Sequence, residues 1–127
     1  MLKCCFIKGE NMAKITIYQK PTCTTCKKVY AALKESGVDF NDVNYYIEPL
    51  STSKIKELLA KMGLSARELL RARETVYKDL GLANSEHTEA ELIGLMANNP
   101  DLIQRPIVEV GAKAILARPA EKLSEIL

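Results

Sequence analysis

Ile15-Thr16-Ile17-Tyr18-Gln19-Lys20-Pro21-Thr22-Cys23-Thr24-Thr25-Cys26-Lys27-Lys28 is the stretch on which the fold turns. Its β-branched start predicts a strand that ends at Pro21. Residues 24 to 36 then carry Val29, Ala32, Leu33 and Ser36 as one helical stripe, with Thr22 as the expected cap. Cys23 therefore stands at a helix N-terminus, where free N–H groups and the positive end of the helix dipole favour an anion. Lys20, Lys27 and Lys28 add positive charge. A thiol in such surroundings falls from roughly 8.5 toward roughly 3.5 to 7.5 and is a thiolate near neutral pH. Cys26, one turn further on, is expected to be less exposed and within disulfide reach.

Dithiol redox chemistry is the reading of that Cys-x-x-Cys pair, weighed against two plainer ones. Zinc needs four ligands, and beyond this pair the chain offers only Cys4-Cys5 and a single His87. A buried structural pair is the other, since free cysteine packs as a small hydrophobe.

The 127 residues suffice for one core, and 18 basic against 16 acidic side chains leave a net charge of +2. That balance lacks the clustered basic surface of a nucleic-acid binder but suits a small anion. No apolar run reaches the roughly 18 residues of a membrane span, and Cys4-Cys5-Phe6-Ile7 is too short for a signal peptide. A cytoplasmic protein is expected, in which thiols stay reduced and such a pair is more often catalytic than structural. Residues 1–12 lack any period and are read as a disordered or non-native extension, with 13–127 as the domain. Met12 is the expected natural start, because Lys8-Gly9-Glu10-Asn11 is what the purine-rich ribosome-binding site AAG-GGA-GAA-AAC would encode. Cys4-Cys5 then has no role.

After Gly37, Phe40 to Tyr46 predicts a second strand. Ser51 or Thr52 should cap a helix carrying Ile55, Leu58, Leu59 and Met62, stopped by Gly63. Capping boxes at Ser65 to Glu68 and Thr88 to Glu91 open two more helices. Pro106 to Val110 and Ala114 to Leu116 flank Gly111-Ala112-Lys113 as a hairpin, and Pro119 should begin a last helix with Leu123, Ile126 and Leu127. The order is βαβ, helical insert, ββα. With Cys-x-x-Cys after the first strand, that predicts an α/β, thioredoxin-like, four-stranded mixed sheet. Such folds place a cis proline before the third strand, facing the thiol, and Pro106 stands there; a trans proline opening an edge strand is the plainer alternative.

These residues resemble the glutaredoxin-coupled arsenate reductases of the ArsC/Spx-like superfamily. The likeness covers residues 14 to 127 and rests on Tyr18-x-x-Pro21-x-Cys23, Leu69-Leu70-Arg71, Tyr77-x-x-Leu80-Gly81-Leu82, Arg105-Pro106-Ile107-Val108 and Arg118-Pro119. It implies a catalytic Cys23 surrounded by the oxyanion-binding Arg71, Arg105 and Arg118. It further implies no bound cofactor, arsenate as substrate, and glutathione with glutaredoxin as external reductant. Guanidinium groups suit that substrate, since they bind tetrahedral anions bidentately. Arg67 and Arg73 read as solvated charges, and without the family pattern these two and Arg71 are indistinguishable.

Two positions depart from the family. Cys26 replaces a serine, so a resolving disulfide with Cys23, reducible by thioredoxin or glutaredoxin, is expected. Gln19 stands where a histidine often helps ionise the cysteine, leaving that task to Lys20, Lys27 and the arginines. His87 reads as a surface residue. Competing readings are an Spx-like redox switch that binds RNA polymerase, against which Arg71 and Arg118 in their motifs lean, and a general glutaredoxin-like dithiol oxidoreductase, which would need a glutathione or peptide groove and no anion cage.

Overall fold

The computed structural model describes residues 14–83, 86–118 and 120–126. The expectations for residues 1–12, Cys4-Cys5, Pro119 and Leu127 lie outside the described residues. Strand β1 (Ile15–Gln19) leads into α1 (Thr24–Glu35) and β2 (Asn41–Asn44). Helices α2 (Thr52–Met62), α3 (Ala66–Leu69), α4 (Thr75–Asp79) and α5 (Glu89–Asn98) form the insert, followed by a 3-10 turn at Pro100–Leu102. The hairpin β3 (Ile107–Val110) and β4 (Lys113–Leu116) and a 3-10 turn at Ala120–Glu125 complete the chain. The sheet order is β2-β1-β3-β4, with β1 parallel to β2 and antiparallel to β3. The expected mixed sheet is therefore present.

Period-two alternation divides the core between the two faces of that sheet. Ile15 and Ile17 of β1 and Val108 of β3 pack with Val29 and Leu33 of α1 and with Leu123. Tyr18 and Ile107 point the other way, onto Ile55, Leu58 and Leu59 of α2 and Leu92 and Met96 of α5. Each fully buried Leu or Ile contributes about 1.5–3 kcal/mol relative to exposure. Ser51 caps α2 by accepting from the Lys54 N–H at 3.1 Å, and Gly63 ends it in the left-handed region at φ 69°. Gly111, at φ 58°, makes the tight turn of the hairpin.

One polar group interrupts the α2 face. Glu109, central on β3 and 7% exposed, accepts from Tyr18 Oη at 2.6 Å, from Lys54 Nζ at 3.0 Å and from Lys61 Nζ. Burial works against its ionisation, but the bonds from Lys61, Tyr18 and Lys54 outweigh that and hold the carboxyl down at about 2. Burial and the same carboxylate push the Tyr18 phenol up to about 12. The cluster fastens α2, and with it the insert, onto the sheet.

Four details differ from the sequence reading. Strand β2 stops at Asn44 instead of Tyr46, because Asn44 Oδ1 accepts from the Tyr46 N–H at 3.0 Å and its carbonyl accepts from the Ile47 and Glu48 N–H groups. Thr22 does not cap α1; it lies inside a Lys20–Cys23 turn closed by Cys23 N–H to Lys20 O at 2.9 Å, and Cys23 is itself the cap residue. The buried stripe of α1 is Cys26, Val29 and Leu33, while Ala32 and Ser36 are exposed. The C-terminal segment is a 3-10 turn, in which Ile126 N–H bonds Leu123 O three residues back at 3.2 Å and both side chains meet the same core.

Candidate active site

Pro21, preset for the second position of a turn, swings the chain from β1 into α1 and leaves Cys23 as the helix cap, with extended backbone at φ −79° and ψ 129°. Its thiol is partly exposed, whereas Cys26 is fully buried beneath it, and both are free thiols. Partial burial opposes ionisation of Cys23. Hydrogen bonds from the Cys26 N–H and thiol and from Arg105, together with the Arg105 charge, outweigh it and bring the thiol down to about 7. Burial pushes Cys26 the opposite way, and the neighbouring Cys23 adds to the effect. The pair is asymmetric: Cys23 is the thiol that ionises near neutral pH, and Cys26 stays protonated and donates to it.

Of the lysines and arginines that the sequence offers for ionising the thiol, Arg105 is the charge beside it. Lys20 Nζ lies over the Tyr46 ring at 4.8 Å and 3.9 Å from Asp101 Oδ1, and Lys27 points into solvent. Gln19 does not replace a histidine base either, since its Nε2 donates to Asp42 Oδ1 at 2.5 Å and ties the end of β1 to β2. His87 is in the segment leading into α5, within electrostatic reach of Glu91.

Three backbone crossings gather the arginines around the start of β3. Arg71 N–H bonds Leu102 O at 2.8 Å, and Gln104 N–H bonds Leu69 O at 2.9 Å, laying the segment after α3 antiparallel to the residues before Arg105. Ala117 N–H bonds Pro106 O at 2.9 Å, which brings the end of β4 alongside. Arg118 Nη1 then donates to Arg105 O at 3.0 Å. The Arg105–Pro106 bond is cis, as expected for this position. Arg105 is 7% exposed, and its Nε is a buried donor with no partner among the described residues. Arg71 and Arg118 line a cavity of about 410 Å³ together with Leu70, Ala72, Arg73 and Gln104. Arg67 is directed elsewhere, donating to Leu82 O at 2.7 Å.

Among the described residues no three His, Cys, Asp or Glu side chains are placed to hold a metal ion. No helix among them is long and apolar enough to cross a membrane.

The family model for the ArsC family matches residues 18–126. The chain belongs to the ArsC family. The uncharacterized protein YfgD of Escherichia coli K12 is 40% identical to this chain over 115 residues, which are 90% of this chain and 97% of that protein. An arsenate reductase of the same organism is 38% identical over 116 residues, 91% of this chain and 82% of that protein. A solved structure of an arsenate reductase from Vibrio cholerae superposes with a TM-score of 0.88 at 33% identity, covering 92% of this chain and all of that one. These matches do not favour the polymerase-binding or general glutaredoxin-like readings.

Tyr46 and Asp101 were missed by sequence reasoning. Arg105 Nη1 donates to Tyr46 Oη at 3.4 Å, and Tyr46 Oη donates to Asp101 Oδ1 in a short hydrogen bond. With Lys20 bridging Tyr46 and Asp101, this network joins the turn that carries Cys23 to the arginine that faces it. Tyr45-Tyr46 was a visible aromatic doublet, but it read as strand, and nothing in the order of residues linked it to Asp101, 55 positions away.

Proposed function

We propose that this protein reduces arsenate to arsenite by thiol chemistry at Cys23. One observation carries the reading: a thiol brought down to about 7 at a helix N-terminus stands beside a buried arginine whose Nε has no acceptor among the described residues. The first is a nucleophile at neutral pH, and the second is a donor suited to an oxyanion. The arsenate reductases of E. coli and V. cholerae to which the chain is similar support the choice of arsenic over other centres.

In this mechanism the Cys23 thiolate attacks arsenic(V), an S–As bond forms, and one arsenate oxygen leaves as water after taking up protons. Arg71, Arg105 and Arg118 hold the remaining oxygens and stabilise the charge that develops on them. Cys26 sulfur then attacks Cys23 sulfur. As the disulfide forms, the S–As bond breaks and its electron pair stays on arsenic, so arsenic(V) becomes arsenic(III) and two thiols become one disulfide. Cys26 ionises more readily at that point, because Cys23, once bonded to arsenic, no longer carries the charge that helped raise it. The Lys20 N–H and Arg105 still favour its thiolate. An external thiol, from glutathione with glutaredoxin or from thioredoxin, then reduces the disulfide. Such a cycle suits the cytoplasm, where thiols are kept reduced.

The test is arsenate-dependent NADPH oxidation, with glutathione/glutaredoxin and thioredoxin systems supplied separately. Turnover with either supports the reading, and the absence of turnover with both overturns it.

A further inference from the structure

Arg67, Arg71 and Arg73 follow one another closely along the chain but part company in space. Arg67 turns away to the Leu82 carbonyl. Arg73, which the sequence left as a solvated charge, lines the same cavity as Arg71, Arg118 and Gln104. We propose that Arg73 is a fourth anion-binding arginine, and that this cavity is an outer station where a tetrahedral oxyanion is held before it meets Cys23. The inference rests on the oxyanion chemistry proposed above and adds a residue and a place to it.

Three observations carry it. The first is charge: three arginines line one cavity whose lining contains no carboxylate. Glu74 meets Arg71 only at Nε, at 3.4 Å, and Arg118 commits Nη1 to the Arg105 carbonyl. Arg73 has no hydrogen-bond or ion-pair partner among the described residues, so its planar set of donors is open to a ligand. Like charges gathered in a concave site concentrate anions from solution. The second is size, since about 410 Å³ is far more than four oxygens around one atom require, and it admits an anion with part of its hydration shell. The third is position: neither Cys23 nor Arg105 lines the cavity, but Arg118, on its wall, touches the backbone of Arg105. An anion held there is one arginine away from the thiol without touching it.

Arg73 is thus a capture residue, and Arg105 is the residue that meets the reacting group. A charge as exposed as Arg73 is worth up to about fivefold in affinity, less at high salt. The experiment is calorimetric titration of inorganic phosphate and arsenate into Cys23→Ser protein, in which no thiol chemistry can start, at low and high salt. Arg73→Gln should weaken both anions about three- to fivefold at low salt and flatten the dependence of affinity on salt, and Arg73→Lys should recover much of the loss. Lys56→Gln, on the exposed face of α2, is the control for net charge and should change neither. Equal affinity in Arg73→Gln and its parent, or an equal loss in Lys56→Gln, overturns the inference, as does failure of the parent to bind either anion. Phosphate binding that depends on Arg73 in a protein that never turns over arsenate would uphold this station and sink the reductase reading. Arsenate turnover by a protein indifferent to Arg73→Gln would do the reverse.

Discussion

Replacing Arg105 by methionine should move the titration of Cys23 upward, and the size of the move follows from the site. The Cys23 thiol lies at about 7, below the ordinary thiol range, through its bonds to Cys26 and through Arg105 acting both as hydrogen-bond donor and as charge. A cation at hydrogen-bond range lowers an acid's pKa by roughly 1 to 3 units, and a partly exposed thiol belongs at the lower end, so Arg105→Met should raise Cys23 by about one unit. At pH 7 the thiolate fraction then falls from about a half to about a tenth. The rate of alkylation changes less, because a thiolate of higher pKa is the better nucleophile, by about threefold per unit. The net loss at pH 7 is therefore only about twofold, while the plateau at high pH rises about threefold. The midpoint of the pH–rate profile for iodoacetamide, in a Cys26-containing protein checked by circular dichroism, is the quantity to measure. Lys27→Met provides the contrast, and its midpoint should stay in place because Lys27 points into solvent. A midpoint unmoved in Arg105→Met, or moved equally in Lys27→Met, would refute the assignment of Arg105 as the charge that ionises the nucleophile.

Cys23→Ser should abolish arsenate reduction, whereas Cys26→Ser should abolish the thioredoxin-coupled rate; an undiminished rate in that assay would remove Cys26 from the resolving role. Tyr46→Phe keeps the ring under Lys20 but deletes the hydroxyl between Arg105 and Asp101, so KM for arsenate should rise about threefold, the worth of one modest hydrogen bond, with the melting temperature little changed. Glu109→Gln should cost about 2 kcal/mol in urea unfolding, less than a fully buried pair because Lys54 and Lys61 keep some contact with solvent. The same carboxyl sets an acid limit. Its folded pKa is depressed, so its contribution is fully present above the unfolded value near 4.5 and is lost as pH falls toward about 2; Glu109→Gln should flatten the stability profile across that window.

Local order along the chain was legible where the signal was local. The capping boxes at Ser65 and Thr88 were read from residues three apart and form as read, because a side chain and a backbone N–H that close need no help from the rest of the protein. The turn after Asn44 and the 3-10 end were misread, since an asparagine side chain or a three-residue bond competes with strand and helix on terms that periodicity does not register. Arg71 and Arg118 were named through a family resemblance, not through their own chemistry.

The sequence by itself determined the strand, turn and helix around Cys23 and the sheet built on them, because hydrophobic period and proline geometry act over a few residues. Tertiary structure alone decided which cations matter. It took Lys20 to Asp101 and Tyr46, sent Arg67 to Leu82, and aligned Arg71 with Gln104 through backbone bonds spanning more than thirty residues. Electrostatics depends on distance and burial, and neither is written in the order of residues until the chain has folded.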